Sequence, residues 1–248
     1  MLRKRVVPIV LLDGFSVLKT IQFSQRRNLG SPVTIIRTYN TRNVDELVLL
    51  DIDASRQRRA IDKFTIQDLA QECFMPLTVG GGVRSLDDIE LLLKNGADKV
   101  AINSYAIENP SFIAEASKVF GSQCIVVSID VVERDGSFEI YSASGKEVSM
   151  TLEEWLREVE KQGAGEILIN NVTRDGTMEG GSVDLANLVS SVVKIPAIYA
   201  GGIESPEDCA RIAETSISAV GVSSIFHFTD ATPQDCRNAM AECGIPVR

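Results

Sequence analysis

The sequence predicts an α/β chain of the (β/α)8 TIM-barrel class, a single barrel built from two similar half-barrels. Three observations predict it. Short apolar runs alternate with amphipathic stretches from end to end, and eight such runs can be counted. The 248 residues match the roughly 250 typical of one such barrel. Finally, residues 196–224, PAIYAGGIESPEDCARIAETSISAVGVSS, repeat residues 76–104, PLTVGGGVRSLDDIELLLKNGADKVAINS, at an offset of 120 without a gap. Glu46 and Glu166 coincide at the same offset. One domain over 1–248 is expected, with the repeat at approximately 1–120 and 121–240 and no linker between the halves.

The expected strands are 6–12, 46–52, 76–81, 99–103, 124–130, 166–171, 196–202 and 219–224. Most are continuously apolar, as parallel strands buried on both faces must be. Helical patterns at 85–96, 110–121, 149–163 and 205–214 lie between them. Several open at Ser or Asn before an acid or proline, which is N-cap chemistry, and close at Gly.

Composition excludes several classes. A net charge of −9, from 34 acids and 25 bases, argues against a general nucleic-acid or anionic-membrane surface. No apolar run approaches the roughly 20 residues that span a bilayer. MLRKRVVPIVLLDG has a basic start and a short apolar run, but it lacks a small-residue cleavage site and reads as the first strand. Cys73, Cys124, Cys209, Cys236 and Cys243 show no CxxC rhythm and read as buried free thiols of a cytoplasmic protein. His227 is the sole histidine, so it reads as structural; neither a metal centre nor a cofactor is expected.

In barrels of this class, chemistry sits at the carboxyl ends of the strands. Gly80-Gly81-Gly82 follows the third strand and Gly201-Gly202 the seventh, and the next strand in each half ends in Asn103-Ser104 or Ser223-Ser224. Glycine lets backbone N–H groups approach an anion, so the duplicated pattern predicts two phosphate sites and a substrate with a phosphate at each end. The plainer reading is a pair of tight turns. Asp51, Asp130 and Asp175 stand at or after strand ends and are candidates for proton transfer; Asp175-Gly176-Thr177 adjoins the second glycine turn. Each aspartate can instead be a cap or an ion-pair partner. Arg5, Glu46, Lys99 and Glu166 stand at the starts of strands one, two, four and six. They can form one ring of alternating charge on the opposite face, and by residue type alone it reads as a structural salt-bridge ring.

The stretches MLRKRVVP, VDELVLLDIDAS, TVGGGVRS, GADKVAIN, ENPSFI, FGSQCIVVSID, SGK, GAGEILIN, RDGTMEG, AGGIES and SSIFHF run collinearly over nearly the whole chain. In them the chain resembles the cyclase subunit of imidazole glycerol phosphate synthase, the HisF family. The resemblance implies a two-fold repeated barrel with two phosphate sites. It implies a HisH-like glutaminase docked on the bottom, with ammonia crossing the core. It assigns Arg5, Glu46, Lys99 and Glu166 to an ammonia gate, Thr78 to the channel, Asp98 to the docking surface and Lys19 to a mobile loop after strand one. Of the family's two catalytic aspartates, the resemblance places one on Asp130. The other position holds Leu11, and its neighbours Val10 and Leu12 are equally unable to transfer a proton. LLL followed by Lys19-Thr20, together with ECFMPL at 72–77, resembles the HisF-like glycosyl amidation branch called WbuZ. That branch implies amidation of a sugar in O-antigen synthesis, with a separate sugar amidotransferase as a further partner. The competing readings are a working cyclase/lyase of histidine biosynthesis, with Asp13, Asp130 or Asp175 compensating, and a non-catalytic ammonia conduit. A sugar-phosphate isomerase of the sister barrel family is weaker, having no need of a gate.

Overall fold

The computed structural model describes residues 3–143 and 148–248. The SGK stretch at 144–146 and the first two residues of MLRKRVVP lie outside them. The strands are β1 (Arg5–Leu12), β2 (Val17–Ile21), β3 (Gln25–Gly30), β4 (Leu47–Asp51), β5 (Leu77–Gly80), β6 (Lys99–Ile102), β7 (Ile125–Arg134), β8 (Ser137–Ile140), β9 (Glu166–Asn171), β10 (Ala197–Ala200) and β11 (Ala219–Val222). Eight of them pair in parallel in the order β11-β10-β9-β7-β6-β5-β4-β1, and β1 returns to pair with β11 through Arg5↔Ala219. The sheet is therefore a closed (β/α)8 barrel, as the alternation of runs predicts.

The helices are α1 (Pro32–Thr41), α2 (Lys63–Gln71), α3 (Leu86–Lys94), α4 (Ser104–Glu108), α5 (Ser111–Phe120), α6 (Leu152–Lys161), α7 (Val183–Val192), α8 (Pro206–Ala213), α9 (Ser224–Phe228) and α10 (Pro233–Glu242). All four expected helices are present. Ser85 caps α3 by accepting from the Asp88 amide, and Ser205 caps α8 from the equivalent Asp208 amide, both at 3.1 Å. Helices α1, α2, α4, α7, α9 and α10 are additional.

Two antiparallel hairpins lie outside the expected strands. The first, β2–β3, folds back from β1 through Leu11↔Leu18; the second adds β8 to β7 through Val131↔Ile140. Both grow from the carboxyl ends of barrel strands, so both stand over the barrel mouth. Lys19, expected in a loop, lies in β2 and is buried. Gly80, expected in a turn, ends β5 and packs so closely that a Cβ would lie 2.8 Å from the Ala101 carbonyl.

Strand pleat divides the apolar residues into two cores, because successive side chains point to opposite faces. On β1, Val6, Val10 and Leu12 join the core between sheet and helices. Val7, Ile9 and Leu11 point inward and meet Val48, Ala101, Val126, Leu168, Ile198 and Ala219. The cysteine expectation holds in part: all five thiols are free, but only Cys209 and Cys236 are buried, and Cys243 is exposed. No helix among the described residues is long and apolar enough to cross a membrane.

Candidate active site

The same pleat carries a residue from one end of the barrel to the other in steps of two. Lys99 leads inward through Ala101 to Asn103, and Glu166 leads through Leu168 to Asn170. A cavity of about 210 Å³ opens at the carboxyl ends of the strands. It brings together nearly all the sequence candidates for that face: Lys19, Gly81, Gly82, Asn103, Ser104, Asp130, Asp175, Gly176, Gly201, Gly202, Ser223 and Ser224 all line it. The two glycine turns and the two following strand ends thus share one chamber.

Asp130 occupies the inward position near the end of the straight part of β7 and is 8% exposed. Asn103 Nδ2 donates to its Oδ2 at 2.8 Å. Burial raises its pKa to about 6, opposed by the hydrogen bonds from Asn103 and Asn170 and reinforced by the negative charge of Asp175. A carboxyl group that titrates near neutrality is suited to proton transfer. Asn170 is a site residue that sequence reasoning missed; its signal was the two-residue step from Leu168.

Leu11 lines the same cavity with Ile9, Leu50 and Leu168. Alternation explains why its neighbours offer no substitute: Val10 and Leu12 face the helices, so an acid at either place would not reach the chamber. Asp13 is no replacement either. Its Oδ1 accepts from the amides of Phe15 (3.2 Å) and Ser16 (2.9 Å), tying the turn after β1. Asp51 is likewise engaged: it accepts from the Asp53 and Ala54 amides and pairs with Arg59 at 2.6 Å.

Asp175 differs from Asp130 in kind. Lys19 Nζ donates to one oxygen at 2.6 Å, and Thr20 Oγ1 donates to the other at 2.6 Å. Both oxygens are occupied, so as it stands Asp175 fixes the ammonium of Lys19 in the cavity wall and pins hairpin β2–β3 across the mouth. Lys19→Ala is expected to destabilise the fold by about 3 kcal/mol, since it strands a buried carboxylate. A thermal unfolding midpoint unchanged by the substitution would refute the pairing.

The glycines are held by space as well as by conformation. At Gly82, φ is +67° and a Cβ would lie 1.8 Å from the Arg59 carbonyl; at Gly176, φ is +73° and a Cβ would lie 2.1 Å from the Thr20 carbonyl. Neither position admits a side chain. Gly202, with φ +87°, is similarly closed by the Gly180 carbonyl at 2.5 Å.

At the other end of the barrel, Arg5, Glu46, Lys99 and Glu166 close a ring. Arg5 pairs with Glu46 at 2.5 Å and with Glu166; Lys99 pairs with Glu46 at 2.8 Å and Glu166 at 2.7 Å. Thr78 Oγ1 donates to Glu46 at 3.0 Å. Burial pushes the Glu46 carboxyl up, but Lys99 and Arg5 outweigh it and hold its pKa below the ordinary glutamate value. Asp98 is exposed beside this ring and accepts from the Leu77 amide at 2.8 Å. His227 is half-buried against Tyr39 and Phe228, and burial, aided by Lys19 and Arg42, depresses its pKa to about 4. It lines neither end.

A closed parallel barrel whose strand ends enclose a buried, near-neutral carboxyl group is an enzyme-type (β/α)8 site. The comparison with known families is specific within that class. Residues 5–232 match the family described as "Histidine biosynthesis protein". The chain is 43% identical, over all of its length and 99% of the relative's, to a Campylobacter jejuni protein named as imidazole glycerol phosphate synthase subunit hisF2. It is 42% identical to the HisF subunit of imidazole glycerol phosphate synthase from Hyphomonas neptunium, over its whole length and 99% of the relative's. It is 40% identical to the HisF subunit of an Exiguobacterium species, over its whole length and 97% of the relative's. The chain belongs to the HisF family of the histidine biosynthesis proteins.

Proposed function

We propose that this chain is the ammonia-using cyclase/lyase-type subunit of a glutamine amidotransferase pair of the imidazole glycerol phosphate synthase kind. One observation carries the reading: a ring of paired charges stands at one end of an apolar barrel interior, and a buried acid stands at the other, on the same pleat face. A HisH-like glutaminase docks on the ring face, around Asp98, and supplies ammonia. The ring of Arg5, Glu46, Lys99 and Glu166 acts as the gate. Inside it, Val48, Val126, Leu168, Ile198 and Ala219 leave only neutral ammonia a favourable route, because an ammonium ion would shed its hydration without a partner. Thr78 offers the hydroxyl along that route.

At the mouth, Gly81, Gly82, Asn103 and Ser104 form one phosphate cradle. Gly176, Gly201, Gly202, Ser223 and Ser224 form the second. Their backbone N–H groups receive the two ends of a phosphorylated substrate. Asp130 takes up and returns the proton as ammonia adds between them, and Lys19, oriented by Asp175, balances the negative charge of the substrate. With Leu11 in the place of a second acid, Asp130 works alone.

Leu11 also favours a second reading, in which the same ammonia is delivered for glycosyl amidation in O-antigen synthesis, directly or through a separate sugar amidotransferase. An apolar wall at that point suits an acceptor that needs only one proton-transfer group. The two readings part on a single assay: turnover of phosphoribulosyl-formimino-aminoimidazole carboxamide ribotide at saturating ammonium, by the native chain and by Leu11→Asp. Steady turnover by the native chain supports the cyclase reading. Turnover only after Leu11→Asp, expected to gain at least tenfold, supports the amidation reading. Turnover by neither, without binding of the bis-phosphate, would overturn both.

A further inference from the structure

The inward face of β7 differs in polarity from that of β1. β1 presents Val7, Ile9 and Leu11 to the barrel interior, whereas β7 presents Val126, Ser128 and Asp130. Ser128 stands one pleat step below Asp130, as Ile9 stands below Leu11, so the two polar groups share one strand. Ser128 is 6% exposed, pairs in register with Leu168 of β9, and lines the cavity with Ile9, Ala101 and Ala200. Its hydroxyl makes no hydrogen bond among the described residues. Thr78, nearer the charged ring, is by contrast committed to Glu46 at 3.0 Å. A buried hydroxyl is costly unless it is hydrogen-bonded, and an apolar side chain fills the matching place on β1 without that cost. The partner of Ser128 must therefore come from the chamber. Ammonia carries three N–H donors and one lone pair. A serine oxygen can accept one N–H and a carboxylate a second, which leaves the lone pair for the acceptor carbon. Successive inward positions on a strand lie about 6.6 Å apart, and two hydrogen bonds of about 3 Å that meet at one nitrogen span about 6 Å. One ammonia molecule matches the step from Ser128 to Asp130.

We infer that the Ser128 hydroxyl receives ammonia as it leaves the apolar core and holds it beneath Asp130. Ser128 Oγ accepts one N–H and takes no proton itself. The carboxylate of Asp130 accepts a second N–H, and the nitrogen lone pair is turned toward the substrate in the mouth. Ser128 is thus a binding residue for the nucleophile, distinct from the charged ring that admits ammonia at the other end. This rests on the reading of the barrel interior as an ammonia route.

Ammonium-dependent turnover of the bis-phosphate, without a glutaminase, tests it in three variants. Ser128→Ala and Ser128→Val are expected to raise KM for ammonia about tenfold, the usual worth of one neutral hydrogen bond, with kcat within about twofold and KM for the bis-phosphate unchanged. Ser128→Thr, which has the size of valine but keeps a hydroxyl, is expected to stay within about threefold of the native KM for ammonia. A merely structural serine would change kcat or the unfolding midpoint and leave KM for ammonia where it is, and that result would overturn the assignment. A second readout needs no acceptor. In a chain carrying 13C-labelled serine, the Cβ resonance that Ser128→Ala removes is expected to shift saturably with ammonium chloride at pH 9 and not with tetramethylammonium chloride. A resonance that does not respond would overturn the ammonia site whatever the reaction. A saturable shift in a chain that does not turn over the bis-phosphate would leave the ammonia site standing and overturn the cyclase reading.

Discussion

Asp130→Asn is expected to lower ammonia-dependent turnover by about 10²- to 10⁴-fold, the usual loss when a positioned proton-transfer group is removed. The same substitution is expected to stabilise the protein at pH 7 to 8. The sign follows from burial. The carboxyl titrates at about 6 in the folded chain, against an ordinary value of 3.8. Between those values the folded state holds the proton more tightly than the unfolded state, so stability falls as pH rises through that window. Roughly two pKa units correspond to about 3 kcal/mol, an upper bound on what the neutral amide recovers above pH 6. That gain should disappear at pH 4, where the native carboxyl is protonated in the folded chain. Urea unfolding at pH 4 and pH 8 measures it, and a variant equally destabilised at both would contradict a buried, strained charge. The pH–rate profile gives an independent check. A base that titrates near 6 makes kcat/KM rise with pH up to that value and level off above it. A native profile flat from pH 5 to 8 would remove Asp130 from the reaction.

Removing Glu46 should have the largest effect at the opposite end. Glu46→Ala leaves Arg5 and Lys99 sharing only Glu166 and frees the Thr78 hydroxyl. Breaking a buried pair costs about 3–5 kcal/mol, and the partial exposure of Arg5 and Lys99 favours the lower figure. Because Lys99 and Arg5 hold the Glu46 carboxyl below its ordinary 4.5, its contribution is complete above that pH and is lost as pH falls through the folded-state value. The gap between native and Glu46→Gln chains should therefore narrow on acidification. If the ring is a gate, opening it should also uncouple the two subunits. In a complex reconstituted with a HisH-like glutaminase, glutamate released per product formed should rise severalfold. A stability loss with unchanged coupling would leave the ring as a structural brace, the reading that residue type alone supports.

Much of this site could be read before folding, and the reason is strand geometry. Parallel strands with a two-residue pleat carry position along the barrel directly into sequence spacing. Once Lys99 and Glu166 stand at strand starts, Asn103 and Asn170 must stand inward at the far ends, and Leu11 must share their chamber with Asp130. The 120-residue offset predicted in the same way that Ser85 and Ser205 would cap equivalent helices. Closure of the ring needed only that four charges begin inward-facing positions on one face.

What the sequence could not give was the fate of Lys19 and Asp175. They lie 156 residues apart, and no local pattern announces that hairpin β2–β3 crosses the mouth to bring them within 2.6 Å. Spacing cannot show this because the hairpin leaves the periodic barrel, and only its long-range partners place it. The same holds for the Arg26–Asp53–Arg56 cluster, which joins a hairpin to a loop. It holds too for the pKa of Asp130, which depends on how completely neighbouring elements exclude water. Composition and period determined the barrel, its two ends and the residues that face inward. Tertiary contact alone decided which charges are paired and which one is buried at the threshold of titration.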